Sequence, residues 1–122
     1  MRTSTGQVLA GVVVLVLATG AASGPSGERS PRDGDSRFGP RVWDVLAQCE
    51  SGGDWARDSG NGYYGGLQFS VRTWESHGGE RFAPLPHLAR REDQIAVARA
   101  VRDDRGGYGA WPRCSRKLGL PR

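Results

Sequence analysis

The chain has 122 residues, 25% of them charged, and a formal net charge of +4. That length fits one domain. The excess charge sits in Arg2, Arg116, Lys117 and Arg122, while residues 40–115 carry ten arginines and ten acidic residues; with no recognised motif beside it, this balance argues against a nucleic-acid partner.

Residues 1–22 read as a secretory signal. Arg2 supplies the positive end, and Val8–Ala18 is an apolar run of eleven residues, well short of the roughly 20 that span a bilayer. Gly20, Ala21, Ala22 and Ser23 then offer small residues for cleavage near Ala22. The competing reading is an uncleaved N-terminal anchor. No second long apolar run follows, so after cleavage the chain is expected to be secreted, soluble and off the membrane. Export would also lead the only two cysteines, Cys49 and Cys114, to join. Closing a loop that long is worth about 4 kcal/mol in the chain-entropy view, a large share for a small domain.

Residues 23–39 contain one large apolar residue, Phe38, and read as a flexible linker. Order is expected from Pro40, a residue suited to the first helical position. Val42, Val45, Leu46 and Cys49 fall at i, i+3, i+4 and i+7, widened by Trp43 and Ala47, which predicts a helix from about Arg41 to Glu50. Gly52-Gly53 ends it. Glu50 lies about 100° round the helix from Cys49, so the cysteine can face the core while the acid faces a cleft beside it.

Gly60-Asn61-Gly62 signals a turn, and Tyr63-Tyr64 with Leu67-Gln68-Phe69 have short-strand character. Ser70 is placed to cap a helix from Val71 to about His77, stopped by Gly78-Gly79. A proline-interrupted loop over 80–89 precedes a long helix from about Arg91 to Arg105, with Ile95, Ala98 and Val101 on its stripe and Glu92 and Asp93 at its positive end. Gly109 to Cys114 returns the chain to Cys49. Beyond Ser115, residues 116–122 read as a disordered basic tail. The fold class is α+β, mostly helical, with a small β element and one disulfide.

The chemistry centres on Glu50. Glycosidic cleavage needs an acid that still holds its proton near neutral pH. Partial burial against aromatic groups and a helix C-terminus both push a glutamate that way. An ordinary exposed helix-end glutamate is the plain alternative. Of the four tryptophans, Trp43 and Trp74 sit on or near apolar stripes and are expected in the core. Trp55, Tyr64 and Trp111 lie among glycines, better placed for sugar stacking. Asn61 and Gln68 can bind hydroxyl or acetamido groups, or simply satisfy loop backbone. His77 and His87 are ten residues apart without a carboxylate pattern, so no metal is expected, and no other cofactor.

The stretch from Trp43-Asp44 through Gln48-Cys49-Glu50-Ser51-Gly52-Gly53-Asp54-Trp55 resembles the opening of the resuscitation-promoting factor domain. So do Gly60-Asn61-Gly62, Tyr64 to Ser70, Thr73-Trp74, Gln94 to Ala98, and Gly109 to Cys114. The resemblance covers about residues 40–115. It implies a compact lysozyme-like domain, a Cys49–Cys114 disulfide, and cleavage of peptidoglycan between N-acetylmuramic acid and N-acetylglucosamine, with Glu50 as the catalytic acid. Gln68, Tyr64, Thr73 and Trp111 match positions similar to those lining the family's groove. It further implies a role in waking dormant cells. The expected partner is the glycan strand, with a wall peptidoglycan hydrolase as a further candidate, and the chain is expected to be a monomer. Two positions depart from the pattern: Asp54 stands where asparagine is frequent, and Arg90 where Thr or Ser would cap the long helix. A hydrolase needs a second carboxylate. Asp44, Asp54, Asp58 and Glu75 are available, none in a compelling position, so a lytic transglycosylase, in which Glu50 acts alone, is preferred to a hydrolase. The rival class is a non-catalytic wall-binding or signalling module, which would not need Glu50.

Overall fold

The computed structural model describes residues 37–122; the expected signal and most of the expected linker fall outside them. Among the described residues four α-helices carry the fold: α1 (Val42–Ser51), α2 (Val71–Ser76), α3 (Arg91–Arg105) and α4 (Pro112–Leu118). Strands β1 (Tyr63–Tyr64) and β2 (Phe69–Ser70) form one antiparallel pair, with Tyr63 opposite Ser70 and Tyr64 opposite Phe69. Single 3-10 turns lie at Gly39–Arg41, Gly79–Arg81 and Pro86–Leu88. Among the described residues no helix is long and apolar enough to cross a membrane.

Helix α1 buries Val42, Trp43, Leu46 and Ala47. The buried face is therefore rotated from the expected stripe: Val45 and Cys49 lie on its half-buried flank. At its end Gly52 (φ 72°) and Gly53 (φ 82°) adopt left-handed backbone, and their N–H groups donate to Gln48 O and Ala47 O, both at 3.1 Å. This crossed pair closes the helix and leaves Glu50 in its last turn. Ser51 Oγ donates to Gly66 O at 2.8 Å, tying that turn to the hairpin.

The core is an aromatic cluster. The Trp43 ring lies 5.3 Å from Tyr108 and 5.6 Å from Trp111, and Phe69 lies 5.4 Å from Trp74. Trp111 Nε1 donates to Leu67 O at 2.8 Å and Trp74 Nε1 to Ala83 O at 2.9 Å, so these two buried indoles find a partner, while Trp43 Nε1 has none among the described residues. Arg102 on α3 is also buried, its guanidinium 5.5 Å from the Trp43 ring and 3.1 Å from Asp103 Oδ1. Helical periodicity had no reason to place a charge there.

Helix α3 has the expected bounds, and Arg90 makes no side-chain cap for it; it pairs with Asp93 at 3.2 Å instead. Ser70 does cap α2, accepting from Thr73 N at 3.1 Å. Two expectations are corrected. Phe38, read as linker, packs against the core. Residues beyond Ser115, read as a disordered tail, continue α4 to Leu118; Leu120 is buried and its N–H donates to Ser115 O, while Tyr108 N donates to Pro121 O, both at 2.8 Å. The short, basic helix hides its signal because beyond Ser115 its one apolar residue is Leu118.

One buried amide joins three segments. Gln94 on α3 accepts from Gly66 N at 2.9 Å and donates to Trp55 O at 2.8 Å and Ala89 O at 3.0 Å. A side chain at Gly66 would strike the Trp55 ring, so glycine is needed for that approach. Gln94→Leu keeps the volume but leaves Gly66 N–H buried without its partner and takes a donor from the part-buried carbonyls of Trp55 and Ala89. The expected loss is about 3 kcal/mol of stability, readable as a lower denaturant midpoint; an unchanged midpoint would show the amide to be dispensable.

Candidate active site

The disulfide between Cys49 on α1 and Cys114 on α4 holds their Cα atoms 5.9 Å apart. Their chain neighbours, Glu50 and Arg113, consequently face the same space. A cleft of about 320 Å³ is lined by Glu50, Asn61, Tyr63, Gln68, Ala110, Trp111, Pro112 and Arg113. A narrower recess of about 60 Å³ shares Tyr63, Gln68, Ala110 and Trp111 with it and adds Phe69, Ser70, Thr73 and Arg105. The two form one groove along the hairpin and the α4 entrance.

Glu50 is half-buried, and that desolvation raises its carboxyl above the ordinary glutamate value; the positive charge of Arg113 offsets part of the rise. Among the described residues lining the groove, Glu50 is the single carboxylate. Each other acid considered is placed elsewhere or engaged. Asp44 receives a bidentate guanidinium from Arg91, at 2.7 and 2.8 Å. Asp54 Oδ1 accepts from Ala56 N at 3.0 Å, a task an asparagine oxygen performs equally. Asp58 accepts from Gly60 N at 3.2 Å and faces His87 Nε2 at 3.8 Å. Glu75 lies on α2, outside the groove's lining.

The other predicted residues divide. Asn61 lines the cleft, its Oδ1 accepting from Tyr63 N at 3.0 Å. Gln68 lines both parts and has φ 52°, the one left-handed non-glycine backbone among the described residues. Such strain collects at functional sites, and here the Gln68 amide steadies it by donating to Gly65 O at 2.9 Å. Thr73 lines the recess, where its Oγ1 accepts from Ser70 Oγ at 3.0 Å. Trp111 is only 4% exposed, so it forms the groove floor and not the free stacking platform expected. Trp55 and Tyr64 do not line the groove. Trp55 packs on Gly66 with the Arg91 guanidinium 5.5 Å from its ring, and Tyr64 stacks on His87 at 5.2 Å.

Tyr63 takes the place expected for Tyr64. It is 50% exposed and lines both parts of the groove. Successive strand residues face opposite sides, so a one-residue choice exchanges the two tyrosines. Arg113 and Arg105 were also missed. Arg113 was within reach of the sequence, since it precedes one half of a disulfide whose other half precedes Glu50.

Among the described residues no group of three or more potential metal ligands gathers. The model for the transglycosylase-like domain matches residues 40–114. The chain belongs to the resuscitation-promoting factor family. Its relatives include resuscitation-promoting factor RpfB of Mycolicibacterium smegmatis, 58% identical over 78 residues, which are 64% of this chain and 21% of that protein. A resuscitation-promoting factor of Corynebacterium glutamicum is 47% identical over 121 residues, 97% of this chain and 58% of its own length. Another, from Micrococcus luteus, is 42% identical over 119 residues, 98% of this chain and 48% of its own. The chain therefore spans between 21% and 58% of the length of these relatives. The matched family domain contains Glu50 and both walls of the groove.

Proposed function

We propose that this chain is a secreted or wall-associated muralytic enzyme that cuts the β-1,4 bond between N-acetylmuramic acid and N-acetylglucosamine by transglycosylation, and that it promotes resuscitation of dormant cells by doing so. The observation that carries the chemistry is a half-buried Glu50 in a groove where no second carboxylate stands among the described lining residues. Asn61, Gln68, Thr73 and Tyr63 offer polar and stacking contacts to sugar, over a floor made by Trp111.

Protonated Glu50 donates to the glycosidic oxygen as the bond to the muramyl C1 breaks and the ring takes on oxocarbenium character. The muramyl C6 hydroxyl then attacks C1, and the Glu50 carboxylate accepts its proton. The acid is restored and no water is consumed. Hydrolysis would need a second carboxylate, as a base for water or as a nucleophile, and the described residues lining the groove supply none.

The test is digestion of purified peptidoglycan with the oxidised chain, read by mass spectrometry. Products lighter than the hydrolytic ones by one water, with 1,6-anhydromuramic ends, are expected. Reducing ends would replace this mechanism with hydrolysis, and no products at all would favour the wall-binding alternative.

The pH profile follows from the same groove. Cleavage needs Glu50 protonated, so the alkaline limb is expected above the ordinary glutamate range. Arg113 disfavours that proton. Arg113→Gln is therefore expected to move the limb to higher pH, measured as kcat/KM across pH; a limb moving down or staying put would contradict the assigned electrostatics.

A further inference from the structure

The groove has a charge pattern that a neutral sugar chain does not require. Among the described residues its lining holds one acid, Glu50, and two permanent cations, Arg113 and Arg105. With Glu50 protonated for the reaction, the walls carry only positive charge. Three arginines outside the groove face carboxylates: Arg91 faces Asp44 at 2.7 Å, Arg90 faces Asp93 at 3.2 Å and Arg102 faces Asp103 at 3.1 Å. Among the described residues Arg113 is exposed and no carboxylate stands within 4.0 Å of it. The disulfide fixes its backbone beside Glu50, with Cys114 held 5.9 Å from Cys49.

The repeating unit of the strand is uncharged apart from the lactyl ether on muramyl O3 and whatever it bears. That ether sits on the same sugar whose C1 reacts at Glu50. A guanidinium fork fits a carboxylate with two parallel hydrogen bonds, which an ammonium does not match.

We propose that Arg113, with Arg105 further along the groove, binds a carboxylate on the O3 lactyl substituent of muramic acid and makes the site selective for strands carrying that charge. This rests on reading the groove as a glycan site. The carboxylate has two sources: the free lactyl group of a peptide-free sugar, or the acidic groups of a stem peptide.

The test measures binding, so that it stands apart from cleavage. The full chain bearing Glu50→Gln is titrated with three soluble probes: amidase-stripped strands with free lactyl groups, the same strands capped with methylamine, and intact peptide-bearing strands, themselves capped in a second arm. Stripped strands are expected to bind about three- to tenfold more tightly than capped ones at low salt, and less so as salt rises. Adding Arg113→Gln is expected to erase the preference at unchanged Tm, and Arg113→Lys to keep part of it. Intact strands that match stripped ones and weaken on capping assign the carboxylate to the stem peptide. Capping without effect, or a preference that survives Arg113→Gln, overturns the proposal. Strands bound with this preference but never cut by the wild-type chain would remove the cleavage reading alone. Strands cut by the wild-type chain without any charge preference would remove this one alone.

Discussion

Glu50→Gln is expected to lower the release of fragments from peptidoglycan by at least about a hundredfold, the usual weight of a positioned general acid. The amide keeps the size and most of the polarity of the carboxyl but has no proton to give to the leaving oxygen. The loss should lie in turnover, with strand binding retained. Unfolding can be separated from chemistry in the same preparation. Burial raises the Glu50 carboxyl in the folded chain, so the fold favours its protonated form. That contribution is complete below the unfolded-state pKa and is lost as pH rises through the folded one. An amide never loses it, so the variant should gain in Tm over wild type as pH increases through that window. A variant that is more stable at neutral pH and inactive would tie the loss to the proton. Wild-type rates from Glu50→Gln would sink the enzyme reading and leave a wall-binding module.

The second large effect is on the fold. The disulfide closes a separation of 65 residues, worth about 4 kcal/mol if its main action is on the unfolded chain. Domains of this size hold roughly 5–15 kcal/mol in total. Reduction, or the Cys49→Ser, Cys114→Ser pair, is therefore expected to lower Tm by about 15–30 °C, followed by thermal unfolding with and without reductant. Activity should fall before the helices melt, because the bridge also sets Glu50 against Arg113. A shift of only a few degrees would mean that the aromatic core alone holds α1 and α4 together.

The parts legible in the sequence were those where several local signals agree. Helix α3 combines the Ile95, Ala98 and Val101 stripe, acids at its start and glycines at its end, and its bounds follow. The position of Glu50 at a helix end beside a cysteine was equally readable. The groove's aromatic wall was not, because a two-residue strand gives no alternation from which to choose between Tyr63 and Tyr64. The Asp44–Arg91 clamp joins residues 47 apart, and no periodic pattern carries that information. The seven residues of α4 are too few and too polar to announce a helix, so its final turns passed for a tail.

Gln94 has a consequence for motion. Its single side chain holds the hairpin loop at Gly66, the segment at Trp55 and the entry to α3 at Ala89. None of these can open alone without costing this buried amide one of its hydrogen bonds. The loops beside the groove are thereby drawn into the same cooperative unit as the helical core. The wall of the site away from α4 should breathe only when the whole domain does, and the groove meets its ligand with its shape already made.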